Sequence, residues 1–137
     1  MAIKVVDMIA EGHKSPQRQV LLSTPRFHAW LHIYEHPGDI DDMHCHNADQ
    51  TWCLLEGECT IHFPDGESVM KPGVAAFIEG GSFYQLHNTG TGPMILMGTR
   101  SGASGSTKHI NYETRQDIGD RAKVRRSAPE AAAAARA

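Results

Sequence analysis

His44-Cys45-His46 is the densest concentration of metal-ligating chemistry in the chain. In an extended segment alternate side chains share a face, so His44 and His46 can present two imidazoles to a single ion while Cys45 points away. Gln50 follows His46 by four positions and offers a neutral carbonyl oxygen as a further ligand. Nine histidines in 137 residues point the same way at the level of composition, because imidazole both ligates metals and exchanges protons near neutral pH. Upstream, His28, Trp30, His32 and Tyr34 alternate with Ala29, Leu31 and Ile33. If the first set faces inward, it adds imidazoles and an aromatic wall around a bound molecule; if it faces outward, the aliphatic set fills the core. Trp52 and Leu54 follow Gln50 at period two and are expected to line the same cavity. His13, His36, His62 and His109 have no partner in sequence and read as surface or loop residues. Cys45, Cys53 and Cys59 lack C-x-x-C spacing and read as reduced, packed thiols.

These side chains need strands to position them, and the sequence supplies short ones between frequent turns. Gly contributes 13 residues and Pro 7, while charged residues are 21% of the chain, which argues against a helical bundle. Segments 26–36, 51–57, 59–63, 74–78, 83–87 and 94–97 read as strands, with Pro64-Asp65-Gly66-Glu67 as a hairpin turn in which Asp-Gly supports positive φ at low cost. Phe77 and Phe83 are expected in the core. The first 20 residues allow a short helix or a strand, 98–107 reads as an exposed Gly/Ser loop, and 110–112 as a final strand on the barrel or on a second subunit. An antiparallel sandwich or small barrel follows.

Charge and hydropathy bound the partners. Residues 1–120 carry 8 basic against 15 acidic side chains, whereas 121–137 carry 5 against 1. The expected organisation is one domain over 1–120 with an N-terminal arm, followed by a basic, Ala-rich, disordered tail over 121–137. An acidic body is a poor platform for nucleic acid. No run reaches the roughly 20 apolar residues of a membrane span, and Asp7 and Glu11 interrupt any secretory segment. A cytoplasmic protein with no membrane partner is the expectation.

Two spacings carry a family resemblance. Gly38, five residues, His44-x-His46, three residues, Gln50, six residues and Gly57 resemble the first cupin motif, with glutamine in the usual glutamate position. Gly73, five residues, Glu79, x, Gly81, two residues, Tyr84, three residues and Asn88 resemble the second, with Glu79 in the proline position and Tyr84 in that of the third histidine ligand. The resemblance spans about residues 27–98 and implies an all-β, double-stranded β-helix (jelly-roll) barrel. It also implies one divalent transition metal, Fe, Mn, Ni or Zn, on His44, His46 and Gln50. Tyr84 then either completes the metal's shell or acts as a catalytic donor, and His87 completes the shell only if a bulge turns it inward. His28, Trp30, His32, Trp52 and Leu54 are the candidate substrate contacts.

The function expected on this basis is a metal-binding cupin acting on an oxygen-rich or aromatic small molecule by redox-neutral isomerase, lyase or cyclase chemistry. An Fe(II) dioxygenase and a non-catalytic sugar- or aromatic-acid-binding module are the alternatives, since one barrel hosts many activities. Pairing of exposed sheet edges gives a homodimer as the expected assembly.

Overall fold

The computed structural model describes residues 3–102 and 108–118, together with the backbone of Arg125–Arg126. One helix and twelve strands follow in chain order: α1 (Met8–Lys14), β1 (Arg18–Ser23), β2 (Phe27–Tyr34), β3 (Asp39–Ile40), β4 (His44–His46), β5 (Gln50–Glu56), β6 (Cys59–Phe63), β7 (Gly66–Met70), β8 (Ala75–Ile78), β9 (Gln85–Asn88), β10 (Met94–Ser101), β11 (His109–Asn111) and β12 (Arg125–Arg126). A sheet in the order β1-β2-β10-β5-β8 faces a second in the order β12-β3-β9-β6-β7, and a ribbon of β11 and β4 joins them at one end. The pairings are antiparallel throughout, and the fold is all-β. No helix among the described residues is long and apolar enough to cross a membrane.

The alternation in β2 resolves in favour of both faces being buried. Trp30 and Tyr34 point between the sheets, where they pack with Trp52, Leu54, Leu86 and Leu96. Leu31 and Ile33 point the other way and are covered, with Ile95, by Met8, Leu21 and Leu55. The N-terminal arm thus provides the helix and a strand as well. Asp7 caps α1 by accepting the Ala10 N–H at 3.1 Å, and α1 roofs the outer face of the first sheet. Burying each of these large apolar side chains contributes about 1.5–3 kcal/mol.

Three expectations are corrected here. The 64–66 hairpin forms, with Phe63 opposite Gly66, but its turn is Pro64-Asp65, and Gly66 is absent from the positive-φ positions. Proline fixes φ near the value that the first central turn position requires, so the glycine's freedom is not needed. Phe77 is 79% exposed on edge strand β8, and Phe83 is half-buried, edge-on to Tyr112 at 5.1 Å. The segment read as a loop from residue 98 instead continues β10 to Ser101, while 103–107 fall outside the described residues. So does the 121–137 tail, except that Arg125 and Arg126 pair with Ile40 and Asp39 of β3.

Gly98 explains the misreading. A Cβ there would lie 2.6 Å from Trp52 Cζ3 and 2.9 Å from Trp30 Cζ2, so the glycine lets the two indoles meet edge-on at 5.2 Å across β10. Gly98→Ala is therefore expected to lower stability by about 1–3 kcal/mol through overpacking, read as a reduced urea midpoint with a changed near-ultraviolet circular dichroism; an unchanged midpoint would contradict this packing.

Candidate functional site

The site is built around β4. His44 and His46 are both buried and project to the same side, with Cys45 between them on the other. The backbone of β4 is hydrogen-bonded on both edges. On one, His44 exchanges N–H···O bonds with Tyr84, each at 2.9 Å. On the other, β11 sets His109 opposite His46, Ile110 opposite Cys45 and Asn111 opposite His44. Directly opposed residues in an antiparallel pair share a face, so His109 joins the two imidazoles. The ribbon is held at its ends by Lys108 N–H to Asn47 Oδ1 at 2.9 Å and Tyr112 N–H to the Met43 carbonyl at 2.8 Å.

The resulting cluster fits a metal ion. One ring nitrogen from each of His44, His46 and His109 lies within 4.8 Å of the others, and the Nε2 atoms of His44 and His46 are 3.1 Å apart. Two nitrogens bound at about 2.0–2.1 Å to one ion have just such a spacing. His44 Nδ1 donates to the Asp42 carbonyl at 2.5 Å; because that oxygen only accepts, the proton sits on Nδ1 and Nε2 carries the lone pair. Burial pushes His44 down to about 4. Burial, then the charges of His109, His44, Arg100 and Arg18, push His46 to about 2. Neutral imidazole is the ligating form.

His109 was expected on the surface, and the structure overturns that: it is 5% exposed and supplies the third imidazole. Tyr84 occupies the neighbouring position, but its hydroxyl is engaged elsewhere, donating to Gln50 Oε1 at 2.9 Å and accepting from Trp52 Nε1 at 3.2 Å. Burial, and then the nearby Asp41, raise the Tyr84 phenol well above its ordinary value, which holds it neutral. Gln50 is buried beside it, with that carbonyl oxygen turned to the phenol. His87 obeys strict alternation and faces away, its Nδ1 3.2 Å from His62 Nε2.

A cavity of about 30 Å³ opens over the cluster, room for two or three waters at about 10–15 Å³ each. Trp30, His32, Trp52, Gln50 and Tyr84 form much of its wall. His28 lies behind Trp30, stacked on it at 5.1 Å and accepting from Arg18 Nη2 at 3.0 Å. Leu54 sits deeper, fully buried in the apolar core; period two carries Leu54 to the same face as Trp52 but one step further from the mouth. Asp41, Arg18 and Arg100 complete the polar wall, and none of the three stands out in sequence because each belongs to a different strand or turn.

The family model for the cupin domain matches residues 31–99, half of the chain. The chain belongs to the cupin family. Among solved structures, this cupin is similar to a Klebsiella pneumoniae conserved protein with a double-stranded β-helix domain, at 22% identity and a TM-score of 0.65, covering 78% of this chain and 97% of that one. It is similar to a Thermus thermophilus protein at 22% identity and 0.63, covering 73% and 98%. It also resembles an RmlC-like cupin from Shewanella frigidimarina at 21% identity and 0.57, covering 63% and 75%. These likenesses establish the fold. No curated protein matches the chain.

Two outcomes follow for this cupin. In calorimetric titrations with Zn(II), His109→Ala is expected to weaken binding at least about 10-fold, whereas Tyr84→Phe and His87→Ala bind as the parent does; loss of metal in Tyr84→Phe would make the phenol a ligand. In the metal-free protein, His44 and His46 stay neutral in the native state far below the 6.5 at which they protonate when unfolded. The unfolded chain therefore binds more protons, and stability falls as pH drops from about 6.5 toward about 4. Thermal melts across that window check the sign, and a flat profile would contradict it.

Proposed function

We propose that this cupin is a metal-dependent enzyme acting on a small oxygenated molecule, by redox-neutral chemistry. The observation that carries the reading is the convergence of three buried imidazoles, His44, His46 and His109, on a polar cavity. A divalent transition metal held by His44, His46 and His109, with Fe, Mn, Ni and Zn all compatible with nitrogen donors, would supply Lewis-acid polarisation of a substrate oxygen. The chain's own groups do the rest. Tyr84, kept neutral by burial, is a hydrogen-bond donor that transfers its bond from Gln50 to a substrate oxygen as charge develops there. Gln50 and Trp52 hold that phenol in place from either side. Trp30 and Trp52 wall off water and orient the bound molecule.

The enclosed space over the cluster, about 30 Å³, favours a compact substrate over a sugar or an aromatic acid. The test loads the full chain with each of the four metals and follows a panel of small hydroxy and oxo compounds by proton NMR, with an oxygen electrode in parallel. Expected is turnover of a panel member only in the metal-loaded parent, without oxygen uptake, and none in the His44→Ala/His46→Ala double variant. Oxygen uptake coupled to turnover would make this an Fe(II) dioxygenase, and stoichiometric ligand binding without turnover under every metal would make it a binding module.

A further inference from the structure

The third imidazole of the site arrives on a short outer strand. β11 has three residues and pairs with β4; beyond it the chain turns back, with Asn111 N–H donating to the Gln116 carbonyl at 2.9 Å and Ile118 N–H to the His109 carbonyl at 2.8 Å. Arg115 makes that turn. At φ 60° it is the one non-glycine with positive φ among the described residues, in the left-handed region that glycine fills at no steric cost and a Cβ crowds. Asn111 closes the turn, its carbonyl accepting from Arg115 N–H at 2.8 Å and its Oδ1 from the Glu113 and Thr114 N–H groups at 2.9 Å each. None of these bonds uses an arginine side chain, so the turn itself gives no reason for a crowded residue at a glycine position. The guanidinium does: its central carbon lies 4.7 Å from the centroids of both the Phe83 and the Tyr112 rings, which meet edge-on at 5.1 Å.

We infer that Arg115 is a positioning residue for the metal centre, an assignment that rests on the three-histidine reading above: by stacking on both rings it clamps β11 to the segment on the other edge of β4 and holds His109 in line with His44 and His46. The two rings belong to the two segments that flank β4, since Phe83 precedes Tyr84 and Tyr112 follows β11. Strand alternation sends Ile110 and Tyr112 to the face away from His109, so the stack sits behind the imidazoles and touches no ligand. Cys45 projects to that same side, and the Arg115 charge opposes the rise that burial gives its thiol. Left-handed backbone at a residue with a Cβ persists where surrounding contacts over-determine it, and a planar guanidinium against two aromatic faces is such a contact. A two-stranded ribbon is marginal without further packing, and an imidazole that swings away with its strand leaves the ion two ligands.

The test is a double-variant cycle on the full chain, with Zn(II) affinity read by calorimetry and the absorption spectrum of bound Co(II) recorded for the parent, Arg115→Gly, His109→Ala and the two combined. Arg115→Gly relieves the crowded backbone while deleting the stack, so a residue that served the turn alone would leave zinc affinity unchanged. Expected instead is a loss of about 5-fold or more, a cobalt spectrum moved toward that of His109→Ala, and no further loss when Arg115→Gly is added to His109→Ala. Phe83→Leu removes the stack from the other edge of β4 and is expected to reproduce the loss, which keeps the test open should Arg115→Gly fail to fold. Parental zinc affinity in either folded variant, or an equal loss from Arg115→Gly with and without His109, would overturn the clamp and leave the three-histidine centre standing. Parental zinc affinity in His109→Ala would overturn both.

Discussion

Backbone pairing on both edges of β4 is the constraint from which the rest of the site follows. Three residues make a marginal strand alone, yet β4 is bonded to Tyr84 on one side and to β11 on the other. That double pairing brings together residues from three distant parts of the chain, His44 and His46, Tyr84 and His109. It also buries them: His44 is 2%, His46 5% and His109 5% exposed. An imidazole removed from water resists protonation, so the desolvation that costs the empty fold stability at low pH also presents the His44 and His46 lone pairs to a metal.

The interior is accordingly divided. Toward one end of the barrel, Leu54, Leu86, Met94 and Leu96 are fully buried and carry the packing energy. Toward the other, polar groups are buried in bonded sets. Asp41 ties Tyr34 to the backbone of β9, and Trp52, Tyr84 and Gln50 form a donor chain; a further set lies at the Met94 end, where Asn88 Nδ2 reaches the carbonyls of Tyr34, His36 and Gly92, each at 3.0 Å. Each set crosses between strands that are remote in sequence, which holds the cavity's shape without relying on its apolar contacts. Functional chemistry is therefore confined to one end, where a buried phenol, two guanidiniums and three imidazoles surround a space of about 30 Å³.

Much of this was legible in the sequence, for physical reasons that also explain the gaps. Period-two alternation and turn chemistry mark most of the longer strands from residue 27 onward, and positive φ at Gly38, Gly57, Gly73 and Gly81 shows why the motif spacings hold. Local pairing of His44 with His46 is readable because the strand period alone joins them. His109 is not readable in that way: its partner is set by a pairing across nearly half the chain, and in sequence it is one histidine before Ile110. The hint was present in the expected strand at 110–112, since extending it by one residue places His109 and Asn111 on a common face. Arg18 and Arg100 were hidden likewise, because β1 and β10 flank β2 only in the folded sheet. Gly98 misled by composition, its role being to make room for two tryptophans rather than to turn the chain.

The central claim is that His44, His46 and His109 form one metal centre, and locating the ion tests it most directly. An anomalous difference map from crystals of the Zn(II)-loaded protein is predicted to show one strong peak at about 2.0–2.1 Å from a ring nitrogen of each of the three histidines. A peak on the His62–His87 pair instead, or on His44 and His46 with His109 turned away, would contradict the account.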